Sequence, residues 1–117
     1  MSKLPRSPDI LLGDMLEECV FLQTFVAGHD QSRFDNDRPF RMAVERGLIT
    51  IGEALFQLNR EFPAIASQVP EHVKIITFRH ILVHGYADIE SSRVWLVVTT
   101  KLEPLRIALA QMLEDLK

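Results

Sequence analysis

From Trp95 to Leu116 the apolar residues Trp95, Val98, Leu102, Leu105, Leu109, Met112 and Leu116 recur at intervals of three and four. That spacing keeps one stripe of an α-helix apolar along its length, whereas a half-buried strand would need alternation with a period of two. A stripe this long is buried only against other helices, and no convincing strand pair occurs elsewhere. Val94 to Thr100 is rich in β-branched residues, yet its spacing also favours helix. The expectation is an all-α chain, an antiparallel bundle of four or five helices. Pro104 interrupts the stripe; its ring and its missing N–H predict a kink or a division of the C-terminal helix.

The remaining helices follow from their punctuation. Ser7-Pro8-Asp9 offers a cap, a first-turn proline and an acid, so a helix is expected from Ile10 to Ala27, ended by Gly28. Its apolar face is Leu11, Met15, Leu22 and Val26, with Cys19 at the edge and Asp14, Glu17 and Glu18 on the solvated side. His29 to Pro39 reads as a polar loop. A second helix is expected from Asp37–Pro39 to about Arg60 and has two apolar sides. Phe40, Val44, Leu48, Ile51, Leu55 and Leu58 form a broad arc, and Met42, Ile49 and Phe56 a narrow ridge. Arg46, Thr50, Glu53 and Gln57 run between them. Such a helix packs on two sides, either within one bundle or against a second copy of the chain. After a connector from Pro63 to Val69, Pro70-Glu71 is expected to open a third helix that stops at Gly85. Asp88 to Ser92 reads as a short loop, and the last helix as beginning at Arg93.

With 117 residues, 47% hydrophobic and 25% charged, residues 1–117 are expected to form one folded domain and not a disordered chain. No apolar run approaches the ~18 residues of a membrane span. The first residues lack the apolar core of a signal peptide, so the cytoplasm is the expected compartment. A lone Cys19 has no internal disulfide partner and reads as a small core group. The net charge of −3 gives no overall pull towards nucleic acid, so any such binding needs a local basic patch.

Polar chemistry concentrates in Arg79-His80-Ile81-Leu82-Val83-His84-Gly85-Tyr86. Arg79 projects from an apolar arc of Ile75, Ile76, Phe78, Leu82 and Val83. A buried guanidinium needs a carboxylate or a polar cleft, and Glu53 is the candidate partner. The same pair could simply fix the register of two helices. His80 and His84 are four apart, a spacing able to hold a metal, but no further ligand cluster accompanies them, so no metal and no cofactor are expected. His84, at a helix end, suits proton transfer because imidazole titrates near neutral pH. Arg79 and His84 lie five positions apart, about 140° around an ideal helix. One helix alone is thus an incomplete site: the two converge by the reach of Arg79, by unwinding at Gly85, or in a two-fold dimer that brings two copies of the motif into a shared cleft.

Arg79, four residues, then His84-Gly85-Tyr86 resembles the Arg-x4-His-x-Tyr motif of HepT-like toxins in the HEPN superfamily of ribonucleases. Ile51-Gly52-Glu53-Ala54, Val94-Trp95 and Leu102-Glu103-Pro104-Leu105 extend the resemblance over nearly the whole chain. His80 stands where that family commonly has Asn. The resemblance implies a homodimeric, metal-independent endoribonuclease acting on RNA, the toxin of a toxin–antitoxin pair with a minimal nucleotidyltransferase antitoxin of the MntA type. Arg79 and His84 then correspond to the catalytic pair, with His80 and Glu53 supporting, and Tyr86 to the tyrosine that the antitoxin blocks by AMPylation. The alternative expectation is a non-catalytic helical module that binds a nucleotidyltransferase.

Overall fold

The computed structural model describes residues 7–85 and 89–117. Among them run seven helices and no strand: α1 (Pro8–Val26), α2 (Gln31–Asn36), α3 (Arg38–Glu61), α4 (Pro63–Ala66), α5 (His72–His84), α6 (Ser91–Thr100) and α7 (Leu102–Asp115). The all-helical expectation holds. The longest helix, α3, begins where the Asp37 carboxylate accepts the backbone N–H of Phe40 at 3.1 Å, a side-chain cap for an otherwise unpaired donor. All six residues of its broad arc are buried. On the narrow ridge Met42 is 54% and Phe56 45% exposed while Ile49 is half-buried against the core, so only part of the second apolar side faces outward.

The other helices collect around this axis. α1 packs on α3 and α7, and α5 packs mainly on α3. α1 approaches closely at Gly47, where an added Cβ would lie 2.6 Å from Leu22 Cδ2. Pro8 occupies the first turn of α1, but the Ser7 side chain makes no cap; its backbone carbonyl accepts from Ile10 and Leu11 instead. Cys19 is not at the edge of the stripe: it is fully buried within it. Burial first, and then the Glu18 charge, push its thiol up to about 12, so it stays protonated and serves as core. Glu18 also departs from the expected solvated side, lying beside Gly47; burial raises its carboxyl above the ordinary value.

Three segments differ from the sequence expectation. The supposed loop after Gly28 contains α2, capped by the Asp30 carboxylate on the Arg33 N–H and docked by Phe34, which is fully buried with its ring 5.6 Å from that of Trp95. One aromatic anchor suffices to dock a turn whose composition is otherwise polar. The connector after Phe62 likewise holds the short α4, with Ala66 and Val69 buried. Pro70 does not enter the first turn of α5. The helix starts at His72, and Glu71 turns the chain in the left-handed region (φ 56°), a conformation that costs a non-glycine residue about 1–2 kcal/mol.

At the C-terminus Pro104 divides the helix. A residue there with an N–H would donate to the Thr100 carbonyl; proline cannot, and its ring crowds that carbonyl. The break falls at Lys101. Val98, Leu102, Leu105, Leu109 and Met112 of the expected stripe are buried and carry it across the break, whereas Trp95 is only half-buried, with Val94 buried beside it, and Leu116 at the far end is exposed. Glu103 ties α7 to α1, accepting from Gln23 Nε2 at 2.7 Å and from Arg106 Nε at 2.8 Å. α6 begins at Ser91, two residues before the expected start.

Candidate functional site

α5 is a lightly buried helix. Of its expected apolar arc only Leu82 is fully buried, while Ile75, Ile76, Phe78 and Val83 are half-buried. The reason is that α5 has one principal neighbour, so its far side faces clefts and not core. One cleft of about 640 Å³ lies between α5 and α6, lined by residues that include Val73, Thr77, Ile81, Arg93 and Leu96. Another of about 460 Å³ opens towards Leu48, Phe78, Leu102 and Leu105.

Against α3, Arg79 sits where the two helices come nearest. A Cβ on Gly52 would lie 2.2 Å from the Arg79 Cβ and 3.5 Å from its Cα, so this crossing exists only because residue 52 has no side chain. Glycine in a helix interior is otherwise unfavourable by roughly 0.5–1 kcal/mol. The residues flanking it on α3 then meet the guanidinium. Glu53 Oε1 is 3.8 Å from Arg79 Nη2, an ion pair longer than a hydrogen bond. The Phe56 ring centroid is 5.8 Å from the Arg79 Cζ, within cation–π range. Arg79 Nε is buried without a hydrogen-bond partner among the described residues, an unmet donor that ordinarily costs about 1–3 kcal/mol. The side chain as a whole is 24% exposed and that of Glu53 43%, so the pair lines a wet edge and is no sealed core bridge.

His80 and His84 project elsewhere on α5. Both are exposed, with ring centroids 4.7 Å apart and planes tilted by 58°. No hydrogen bond, ion pair or ring contact joins Arg79 to His84, as their angular separation led one to expect. Among the described residues no group of three or more His, Cys, Asp or Glu is gathered where a metal ion could be held, so the histidine pair has no third ligand of those types there. α5 ends at His84. Gly85 caps it with an ordinary φ of −106° while its N–H donates to the Ile81 carbonyl at 2.7 Å, so the stop does not use glycine's left-handed freedom. Tyr86 lies outside the described residues.

The pairing of Glu53 with Arg79 was thus foreseeable from the polar stripe of the second helix. Gly52 and Phe56 were not recognised as its companions. The available signal was their spacing around Glu53, which puts positions 52, 53 and 56 on one side of a helix.

A family model described as Ribonuclease HepT-like matches residues 15–112. A protein of Caldanaerobacter subterraneus subsp. tengcongensis, named as a candidate RNase, is 30% identical over 112 residues, spanning 96% of this chain and 99% of its own. No solved structure matches the chain. No helix among the described residues is long and apolar enough to cross a membrane.

Proposed function

The chain belongs to the HepT-like ribonuclease family, and from that premise we propose that it is the endoribonuclease toxin of a toxin–antitoxin pair, with Arg79 and His84 as its catalytic residues. The observation that carries this reading is a guanidinium anchored by Gly52, Glu53 and Phe56, partly open to solvent, on the same helix as two exposed and adjacent imidazoles. RNA brings its own nucleophile. The 2′-oxygen attacks the neighbouring phosphorus and the 5′-oxygen of the next nucleotide leaves, giving a 2′,3′-cyclic phosphate and a 5′-hydroxyl. One proton must leave the 2′-hydroxyl and one must reach the departing oxygen. His84 moves protons, with His80 as its supporting partner, while Arg79 offsets the negative charge that grows on the phosphate. This chemistry needs neither metal nor cofactor, and cleavage is expected to persist in the presence of a chelator.

Two copies of the chain complete the site in this reading, because Arg79 and His84 occupy different sides of one helix. Tyr86, two residues after His84, is the AMPylation target of a nucleotidyltransferase antitoxin. Added AMP would put bulk and negative charge next to the site and oppose entry of a polyanion. The cytoplasm, where RNA and such an antitoxin meet, is the proposed location.

Expression of the chain without its antitoxin should arrest growth, and the purified protein should cleave single-stranded RNA. Arg79→Ala and His84→Ala should each reduce cleavage by about 10²- to 10⁴-fold and relieve the arrest. Absence of cleavage by the unsubstituted protein would leave instead a helical module that only binds a nucleotidyltransferase. Intact mass after co-expression with the antitoxin reads the modification, expected on the unsubstituted protein and absent from Tyr86→Phe.

A further inference from the structure

One turn beyond Glu53, Phe56 leaves 45% of its surface exposed on the outer ridge of α3. Its ring has two guanidinium neighbours: Arg79 Cζ is 5.8 Å and Arg60 Cζ 6.0 Å from the centroid. Both guanidiniums stand over the ring at the outer limit of cation–π contact, so a base lies against the ring where Arg60 turns aside. The two guanidiniums therefore lie within about 12 Å of each other, a span that a short stretch of single-stranded RNA backbone bridges. Arg60 is held loosely. Its Nε donates to Glu61 Oε1 at 3.3 Å with the arginine side chain 62% exposed, and its two terminal nitrogens make no hydrogen bond to any described residue. An exposed pair of this kind is weak, and giving up Glu61 for a phosphate costs little. Glu53, the other acid at the ring's edge, stays with Arg79.

Resting on the ribonuclease reading above, we propose that Phe56 and Arg60 form an RNA subsite beside the cleaved bond: the ring stacks one nucleobase, and the Arg60 fork takes a phosphate next to the one that Arg79 engages. Base–aromatic stacking tolerates any base, since each has a π-face. The subsite thus selects unpaired strands over duplexes, whose bases are already stacked on one another. Two cations converge on one exposed ring, each with a carboxylate beside it, so in a chain of net charge −3 the site gains the positive charge that a polyanion requires only as Arg60 leaves Glu61 for phosphate. Phe and Arg are also enriched in protein interfaces, so self-association through this face is one of the outcomes that the test below separates.

The test measures binding of a short fluorescent single-stranded oligoribonucleotide to His84→Ala protein, silenced for cleavage, across a salt series. Phe56→Ala should weaken binding by about 5- to 100-fold with the salt slope unchanged, and Phe56→Trp should restore it. Arg60→Ala should weaken binding and flatten the slope of log K against log salt by about 0.7, one phosphate contact on a single strand. In otherwise unsubstituted protein, Arg60→Ala should raise KM with kcat retained. Unchanged affinity and KM in Phe56→Ala and Arg60→Ala, while RNA is still bound and cleaved, overturns the subsite and leaves the ribonuclease reading standing. A protein that neither binds nor cleaves RNA overturns both. Loss of a self-associated species on Phe56→Ala, with RNA affinity intact, would make this face a protein interface and reject the proposal.

Discussion

A methyl group at position 52 would fall 2.2 Å from the Arg79 Cβ and 2.7 Å from its Cγ. The Cγ can rotate about χ1, but the Cβ cannot swing away because it is fixed to the α5 backbone. Gly52→Ala must therefore push α5 off α3. Overpacking of this kind costs about 1–3 kcal/mol, and here it also moves the arginine relative to Glu53 and Phe56. The expected outcome is a lowered melting temperature together with a loss of RNA cleavage measured well below that temperature. Gly47→Ala is the control. Its Cβ would meet Leu22 Cδ2 at 2.6 Å and the Glu18 carboxylate at 3.0 Å, on the α1 side of α3, so it should lower stability while cleavage per folded molecule is kept. Equal loss of activity in both variants would mean that general loosening, and not the seat of Arg79, is responsible. The need of Arg79 for a carboxylate was legible from its apolar neighbours alone. The glycine that lets it dock was not read, since its spacing beside Glu53 marks the side of the helix it shares but not how closely another backbone approaches there.

Among the elements, those with long apolar periodicity were legible and those held by one or two contacts were not. α1, α3 and α5 lie close to their expected ranges, and the division at Pro104 follows from proline's missing donor. α2 and α4 escaped because so few turns show no period, and the burial of Phe34, Ala66 and Val69 is settled by neighbours distant in sequence. The join between α1 and α7 is polar, and it makes a prediction about pH. The side-chain hydrogen bond from Arg106, and then that from Gln23, lower the Glu103 carboxyl from 4.5 to about 2. A carboxyl depressed on folding contributes stability that is present above the ordinary value and is lost as pH falls through the folded one. Glu103→Gln should therefore be less stable than the unsubstituted chain at pH 7, by a modest margin because the group is exposed. The gap should shrink below pH 4.5 and close near pH 2, as read from denaturant midpoints at each pH. A gap independent of pH would trace the loss to packing of the longer amide contacts and not to the ionised group.

On the scale of the whole molecule, the outward side of α5 and α6 leaves several large apolar side chains exposed. Val73 is 63%, Leu96 57% and Ile81 38% exposed, and all three line the cleft between the two helices. If two copies share this face, as the incomplete site on one helix argues, charged groups there will separate them. Val73→Glu with Leu96→Glu is expected to sediment as a chain of 13.4 kDa where the unsubstituted protein sediments as a pair. Its cleavage should fall with the loss of association while its helical circular dichroism signal persists. An unsubstituted protein that is monomeric and fully active would remove the need for a second copy.

Sequence by itself determined that this chain is helical, where its long helices run, and that Arg79, His80 and His84 share one of them. Periodicity and proline act within a few residues, so these features need no knowledge of what packs against them. Tertiary structure alone decided that Gly52 and Phe56 join Glu53 in holding Arg79 against α3, and that Phe34 is core. Those contacts join segments far apart in the chain. They depend on how closely two helices cross, a distance set by side-chain volume on both partners at once.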